Sequence, residues 1–164
     1  MVGLRGVKWG GWSTLFRGAN AINLDSKGRM SFPMKYREQL AASGDRRLVV
    51  TVDPDRCLLL YPFSAWEALE KRLTVLPNLD GHARRLQRIL IGHATDCELD
   101  GHNRILLPPL LREFASLDKR VVLVGQGNKF ELWDERLWTE NREKWLVVDQ
   151  GDKPLSSELE SLSL

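Results

Sequence analysis
One pattern occurs twice in the same order, and it constrains this chain more than any single residue does. Asp25, Arg29, Pro33 and Arg37 stand on a four-residue ladder, and Asp100, Arg104, Pro108 and Arg112 repeat it 75 residues later. Leu24, Met30 and Phe32 are matched at that offset by Leu99, Ile105 and Leu107. Further along, Val49, Val50 and Val52 match Val121, Val122 and Val124, and Leu60 and Trp66 match Leu132 and Trp138, now at an offset of 72. The first copy is therefore expected to carry the longer loop, around Ser43 to Arg46. Self-similarity of this kind marks one supersecondary unit made twice. A unit so small buries too little apolar surface alone, so the two copies are expected to complete one another's core as an intramolecular pseudo-dimer.

Alternation and breakers give each copy the order strand, tight turn, strand, short helix, strand, turn, strand, helix. Ile22 and Leu24 alternate before the turn Ser26-Lys27-Gly28, and Met30 and Phe32 alternate after it, which reads as a hairpin. In the second copy the turn is Gly101-His102-Asn103, Gly and Asn being the residues that tolerate positive φ. Pro33 and Pro108 sit where a helix opens, with Tyr36 and Leu40, or Leu111 and Phe114, on one face. A second pair of strands, about 47–52 and 57–61, turns at Asp53-Pro54-Asp55, and its counterpart, 120–124 and 129–133, turns at Gly125 to Asn128. Ser64 and Glu67 have capping-box spacing, and Asp134 is placed to cap the matching helix. Between the copies, Asp80 opens a helix with Leu86, Ile89 and Leu90 on a stripe and Gly92 at its end. The class expected is mixed β/α, mainly β, with flanking short helices.

With 43% apolar residues the chain can fold without disulfides or metal. Cys57 and Cys97 are isolated and read as buried small hydrophobes in a reducing cytoplasm. No stretch approaches the roughly 18 consecutive apolar residues of a membrane span, so no membrane partner is expected. Charge is uneven: residues 1–47 carry nine Lys or Arg against three Asp or Glu, whereas residues 140–164 carry three against six. That points either to a local anion-binding face or to an ordinary solvated surface.

Arg17-Gly18, Leu24-Asp-Ser-Lys-Gly-Arg29, Tyr36-Arg37-Glu38, Leu58-Leu-Leu-Tyr-Pro62, Gly92-His-Ala94, and Gly125-Gln126 with Asn128-Lys-Phe-Glu-Leu-Trp-Asp134 together resemble the MraZ family, in order, over about residues 16–150. The resemblance implies tandem SpoVT-AbrB repeats of swapped-hairpin β fold, each with a D-x-x-x-R motif, that bind double-stranded promoter DNA. It also implies ring-shaped homo-oligomers and control of a division and cell-wall gene cluster that includes the regulator's own gene, in the cytoplasm at the nucleoid. The family begins with a Met at the position of Leu15, so residues 1–15 are expected to be an extension, disordered or from an upstream start. The expected division is then repeat one at 16–66, a helical connector at 67–93, repeat two at 94–137, and a C-terminal helix and tail at 138–164.

Guanidinium forks suit a line of phosphates. Arg29 leaves the first turn, Lys27 projects beside it, and Arg17 is expected to arrive from the same end of copy one. Arg104 carries the motif into copy two, where His102 and Asn103 replace Lys27 and Gly28. Asp25 and Asp100 are expected to orient the arginines, and the plainer reading is a simple ion pair in each motif. The three histidines, His82, His93 and His102, form no nucleophilic constellation, so neither a catalytic site nor a small-molecule substrate is expected. His93, Cys97 and His102 lack zinc-knuckle spacing, and neither a metal nor another cofactor is expected. Trp133, Trp138 and Trp145 read as core or as interface anchors, and Leu155, Leu159 and Leu162 as a docking or fraying end. A ring-forming scaffold or an antitoxin-like interaction protein is the competing reading.

Overall fold
The computed structural model describes residues 15–147, 157 and 161–162. The extension expected at its start falls, but for Leu15, outside these residues, as do Leu155 and Leu159 of the expected tail. In the first copy the elements are β1 (Phe16–Asn23), β2 (Arg29–Ser31), α1 (Met34–Ser43), β3 (Arg47–Val52), β4 (Leu58–Pro62) and α2 (Phe63–Thr74). Next comes α3 (Gly81–Leu86), which runs into a π-helical turn, Gln87–Ile91. The second copy supplies β5 (Thr95–Glu98), β6 (Arg104–Leu106), α4 (Pro109–Phe114), β7 (Arg120–Gly127), β8 (Phe130–Asp134) and α5 (Glu135–Leu146). The class is mixed α/β with strands at the centre.

Six strands form one sheet in the order β1-β7-β8-β4-β3-β5, and β2 and β6 form a separate two-stranded ribbon. β1 of the first copy pairs antiparallel with β7 of the second, from Phe16 opposite Gly127 to Asn23 opposite Arg120. In the mirrored arrangement β5 pairs with β3, Glu98 opposite Arg47. The hairpins β3–β4 and β7–β8 meet where Leu58 faces Leu132 and Leu60 faces Phe130. The expected first hairpin of each copy is thus corrected. Its turn closes locally, through Asp25 N–H to Arg29 O at 3.0 Å and Asp100 N–H to Arg104 O at 2.9 Å. Beyond it the strands part, because β1 and β5 satisfy their backbone on the other copy's hairpin.

Strand faces divide two cores with period two. Leu48, Val50, Leu58, Leu60, Val121, Leu123, Phe130 and Leu132 face the first, with Met30, Phe32, Ile105 and Leu107 from the ribbon side. Val49, Leu59, Tyr61, Val122, Val124 and Trp133 face the second, with Trp66 of α2. This division corrects the repeat alignment. Val49 shares its core with Val122 and Val50 shares its core with Leu123, so β3 and β7 correspond at an offset of 73. The offset of 72 slips them by one residue and would place each side chain on the wrong face. For β4 and β8 the offset of 72 stands, since Leu60 and Leu132 share a core.

Helix ends follow the sequence in part. Pro33 and Pro108 precede α1 and α4 as N-caps, and Tyr36, Leu40 and Leu111 are buried. Asp80 accepts from His82 N–H at 2.9 Å and Asp134 from Leu137 N–H at 3.3 Å, as capping requires. Ser64 caps nothing: α2 starts one residue earlier, after Pro62, and the Ser64 hydroxyl donates to Asp45 Oδ2 at 2.8 Å. Leu86 is exposed, so only Ile89 and Leu90 of the expected stripe pack inward. The β7–β8 turn is tighter than expected, closing from Gln126 N–H to Lys129 O around Gly127 and Asn128.

Candidate nucleic-acid interface
Each D-x-x-x-R motif builds its own turn with one carboxylate. Asp25 Oδ1 accepts the backbone N–H of Lys27 and of Arg29, both at 2.9 Å, and its Oδ2 meets Arg29 Nε at 2.6 Å. Asp100 repeats this with His102 N–H at 2.8 Å, Arg104 N–H at 3.0 Å and Arg104 Nε at 3.0 Å. The backbone N–H of Arg29 is the main cause holding the Asp25 carboxyl down, from 3.8 to about 2. Asp100 is lowered as well, first by the backbone N–H of Arg104. The ion-pair reading and the orienting reading therefore describe one geometry: each Asp shapes the turn and fixes the Nε edge of its Arg. Each Arg side chain stays 28% exposed, and its terminal amino groups make no hydrogen bond among the described residues.

The ribbon joins the motifs. Arg29 lies opposite Leu106, Met30 opposite Ile105 and Ser31 opposite Arg104. Met30 and Ile105 are wholly buried, so the alternate residues Arg29, Ser31, Arg104 and Leu106 share the outward face. Arg29 and Arg104 are diagonal neighbours across the ribbon, about 7–8 Å apart at the backbone. The turns cross-brace the copies: Gly28 O accepts from Leu107 N–H at 3.1 Å and Asn103 O accepts from Phe32 N–H at 3.2 Å. Gly28 has φ +83° and Asn103 +57°, the left-handed region that the sequence anticipated at these turns. The last rung of the ladder is structural too, with Arg37 Nε donating to Phe32 O at 2.5 Å and Arg112 Nε to Leu107 O at 3.2 Å.

Arg17 does not join them. β1 carries it to the end opposite Gln126, six residues from Asn23, which is roughly 20 Å of strand away from the turn. Its carbonyl there accepts from Tyr36 Oη at 2.6 Å. The expected trio is thus a pair, Lys27 and Arg29. The partner that sequence reasoning ranked below them, Arg104, stands beside Arg29; only the β2–β6 register, invisible in linear spacing, brings it there. Elsewhere, Cys57 and Cys97 are buried free thiols, both raised first by burial, Cys97 to about 11. No group of three potential metal ligands gathers among the described residues. Trp133 is buried and contacts the rings of Trp138 and Trp145 at centroid distances of 6.1 and 5.4 Å.

Two copies of one β unit, knitted strand to strand and carrying paired arginine turns on a two-stranded ribbon, define a tandem-repeat protein with a cationic presenting face. A family model described as "MraZ protein, putative antitoxin-like" matches residues 15–89 and 90–146. "Transcriptional regulator MraZ" of Thioalkalivibrio sulfidiphilus is 57% identical over 150 residues, covering 92% of this chain and all of its own length. The protein of that name from Methylococcus capsulatus is 58% identical over 132 residues, covering 80% of this chain and 87% of its own. That from Halorhodospira halophila is 52% identical over 152 residues, covering 92% of this chain and all of its own. The chain belongs to the MraZ family, and the relatives it matches are named transcriptional regulators.

Proposed function
We propose that this regulator binds double-stranded promoter DNA through the β2–β6 ribbon, with Arg29 and Arg104 as the central contacts, Lys27 beside them, and Asp25 and Asp100 as their orienting groups. The observation that carries this reading is the placement of both arginines on one outward face, with no hydrogen bond to their terminal amino groups among the described residues. A two-stranded ribbon fits the major groove, where an arginine fork grips guanine or, at the groove's edge, two phosphate oxygens. Arg17 stands outside the ribbon, and any contact it makes with DNA would be a separate one.

On this reading the strand exchange is that of a swapped-hairpin SpoVT-AbrB pseudo-dimer, with repeats at 16–66 and 94–137 joined by 67–93. The targets proposed are promoter repeats of the division and cell-wall gene cluster that includes the regulator's own gene, bound in the cytoplasm at the nucleoid. One ribbon supplies few charges, so a ring of subunits engaging repeated sites would raise avidity without new contacts. Fluorescence anisotropy of wild type and Arg29→Ala on promoter-repeat and scrambled duplexes tests the reading. It expects tighter promoter binding that salt weakens and the variant loses with its circular dichroism intact. Equal, negligible binding to both duplexes would leave the scaffold or antitoxin-like reading in its place.

A further inference from the structure
Turn one is flanked by a cleft of about 530 Å³ in which side chains of both copies meet. Its wall includes Asp25, Ser26, Gly28, Arg112, Asp118 and Lys119. The Arg112 guanidinium lies against the turn itself: a Cβ on Gly28 would stand 2.5 Å from its central carbon and 2.7 Å from Nη1. Only a residue without a side chain lets a guanidinium approach so closely, and Gly28 also holds φ +83°. Arg112 spends Nε on Leu107 O and makes no hydrogen bond through its terminal amino groups among the described residues. Lys119 is exposed, and its ammonium has no partner among them.

The second turn differs at both positions. Asn103, with a real Cβ, takes the place of Gly28. Lys119 corresponds to Arg46, since the carbonyl of Lys119 accepts from Leu24 N–H and that of Arg46 from Leu99 N–H. Yet Arg46 turns its Nη2 inward, donating to Asp100 O at 2.8 Å and Leu99 O at 3.3 Å. That amino group is spent on bracing turn two.

We propose that Arg112 and Lys119 form, with the Ser26–Gly28 turn, a phosphate site for the DNA backbone, and that the second turn, where Arg37 answers to Arg112 with the same Nε bond but Asn103 replaces Gly28 and Arg46 is tied to the backbone, offers the weaker one. The inference rests on the DNA-binding reading above and adds to it a polarity: the chain grips the duplex more strongly beside copy one. The chemistry fits an oxyanion. Two cations line the cleft with unspent donors, and the Asp25 charge is already met by three hydrogen bonds. Asp118 is the one opposing charge left free in the wall, and it is exposed.

The test is the salt dependence of duplex binding by the full chain. Lys119→Gln and Arg112→Gln are each expected to lower the slope of log affinity against log salt by about one. Arg46→Gln leaves that slope unchanged, and Asp118→Asn tightens binding. Lys119→Gln removes no hydrogen bond of the fold, so it keeps the proposal falsifiable even where Arg112→Gln unfolds. An unchanged slope in Lys119→Gln, with wild-type binding intact and lost in Arg29→Ala, overturns the phosphate site and leaves the ribbon standing. Wild type that shows no salt-dependent binding overturns both. Inorganic phosphate, titrated while the Gly28 amide is followed by NMR, separates the sources. A phosphate-shifted Gly28 amide with an unchanged DNA slope assigns the cleft to a free phosphate ligand and overturns the backbone assignment.

Discussion
The turns at Ser26–Gly28 and Gly101–Asn103 are drawn with the same carboxylate bonds and the same crossing to the opposite copy, but their surroundings diverge. At the first, glycine admits Arg112 and leaves Lys119 unspent; at the second, asparagine holds the same backbone and Arg46 is tied to two carbonyls. Duplication conserved the part that shapes an arginine and let the flanking cations drift. One turn therefore keeps a lysine without a hydrogen-bond partner among the described residues beside its arginines, and the other has an arginine already bonded to the backbone in that place.

The largest effect expected from breaking this comparison is on DNA. Arg29→Ala should cost about a hundredfold in duplex affinity and Arg104→Ala about tenfold, inside the range for losing one guanidinium contact. Anisotropy at one fixed salt concentration checks both, and equal losses would mean that the flanking cations of turn one contribute nothing. Next is Gly28→Ala, which forces a side chain into the left-handed region and displaces Arg112. Roughly 1–2 kcal/mol of stability is expected to go, several degrees in a thermal melt. Asn103→Gly relieves its turn instead, and its melt should move little or upward.

A smaller effect lies in acid. Both carboxyls are depressed in the folded chain, so each contributes stability that is complete above its unfolded value near 3.8 and lost as pH falls through the folded value. Both turns should therefore stay closed as pH falls below 3.8, turn one until about 2. Carboxyl NMR titration checks this, and an ordinary carboxylate value for either Asp would contradict the bonding described. Smallest of all, Cys57 and Cys97 should label slowly and alike with thiol reagents in the native chain, because burial raises both thiols and hides them.

Much of this was legible in the sequence, since the ladder of Asp, Arg, Pro and Arg carried the turns, helix starts and orienting carboxylates. Alternation found the strands of both hairpins. What it missed was long-range pairing. Linear spacing gives Val49 and Val121 as partners as readily as Val49 and Val122, and only the two cores choose between them. Arg17 was misplaced for the same reason, because an eight-residue strand carries charge away from a turn that looks near in sequence. Arg112 read as a helix residue, and its reach across to Gly28 depends on the crossing of the copies.

The central claim is that two turns from two repeats present one DNA-facing surface. Titrating a promoter-repeat duplex into isotope-labelled protein, and following the Arg Nε–Hε and backbone amide signals, tests it most directly. The account predicts that Arg29 and Arg104 shift together with the amides of Lys27, Gly28 and His102, while Met30 and Ile105 beneath them move little. Shifts confined to another surface, such as the half-exposed Trp145 on α5, with both arginines silent, would contradict it.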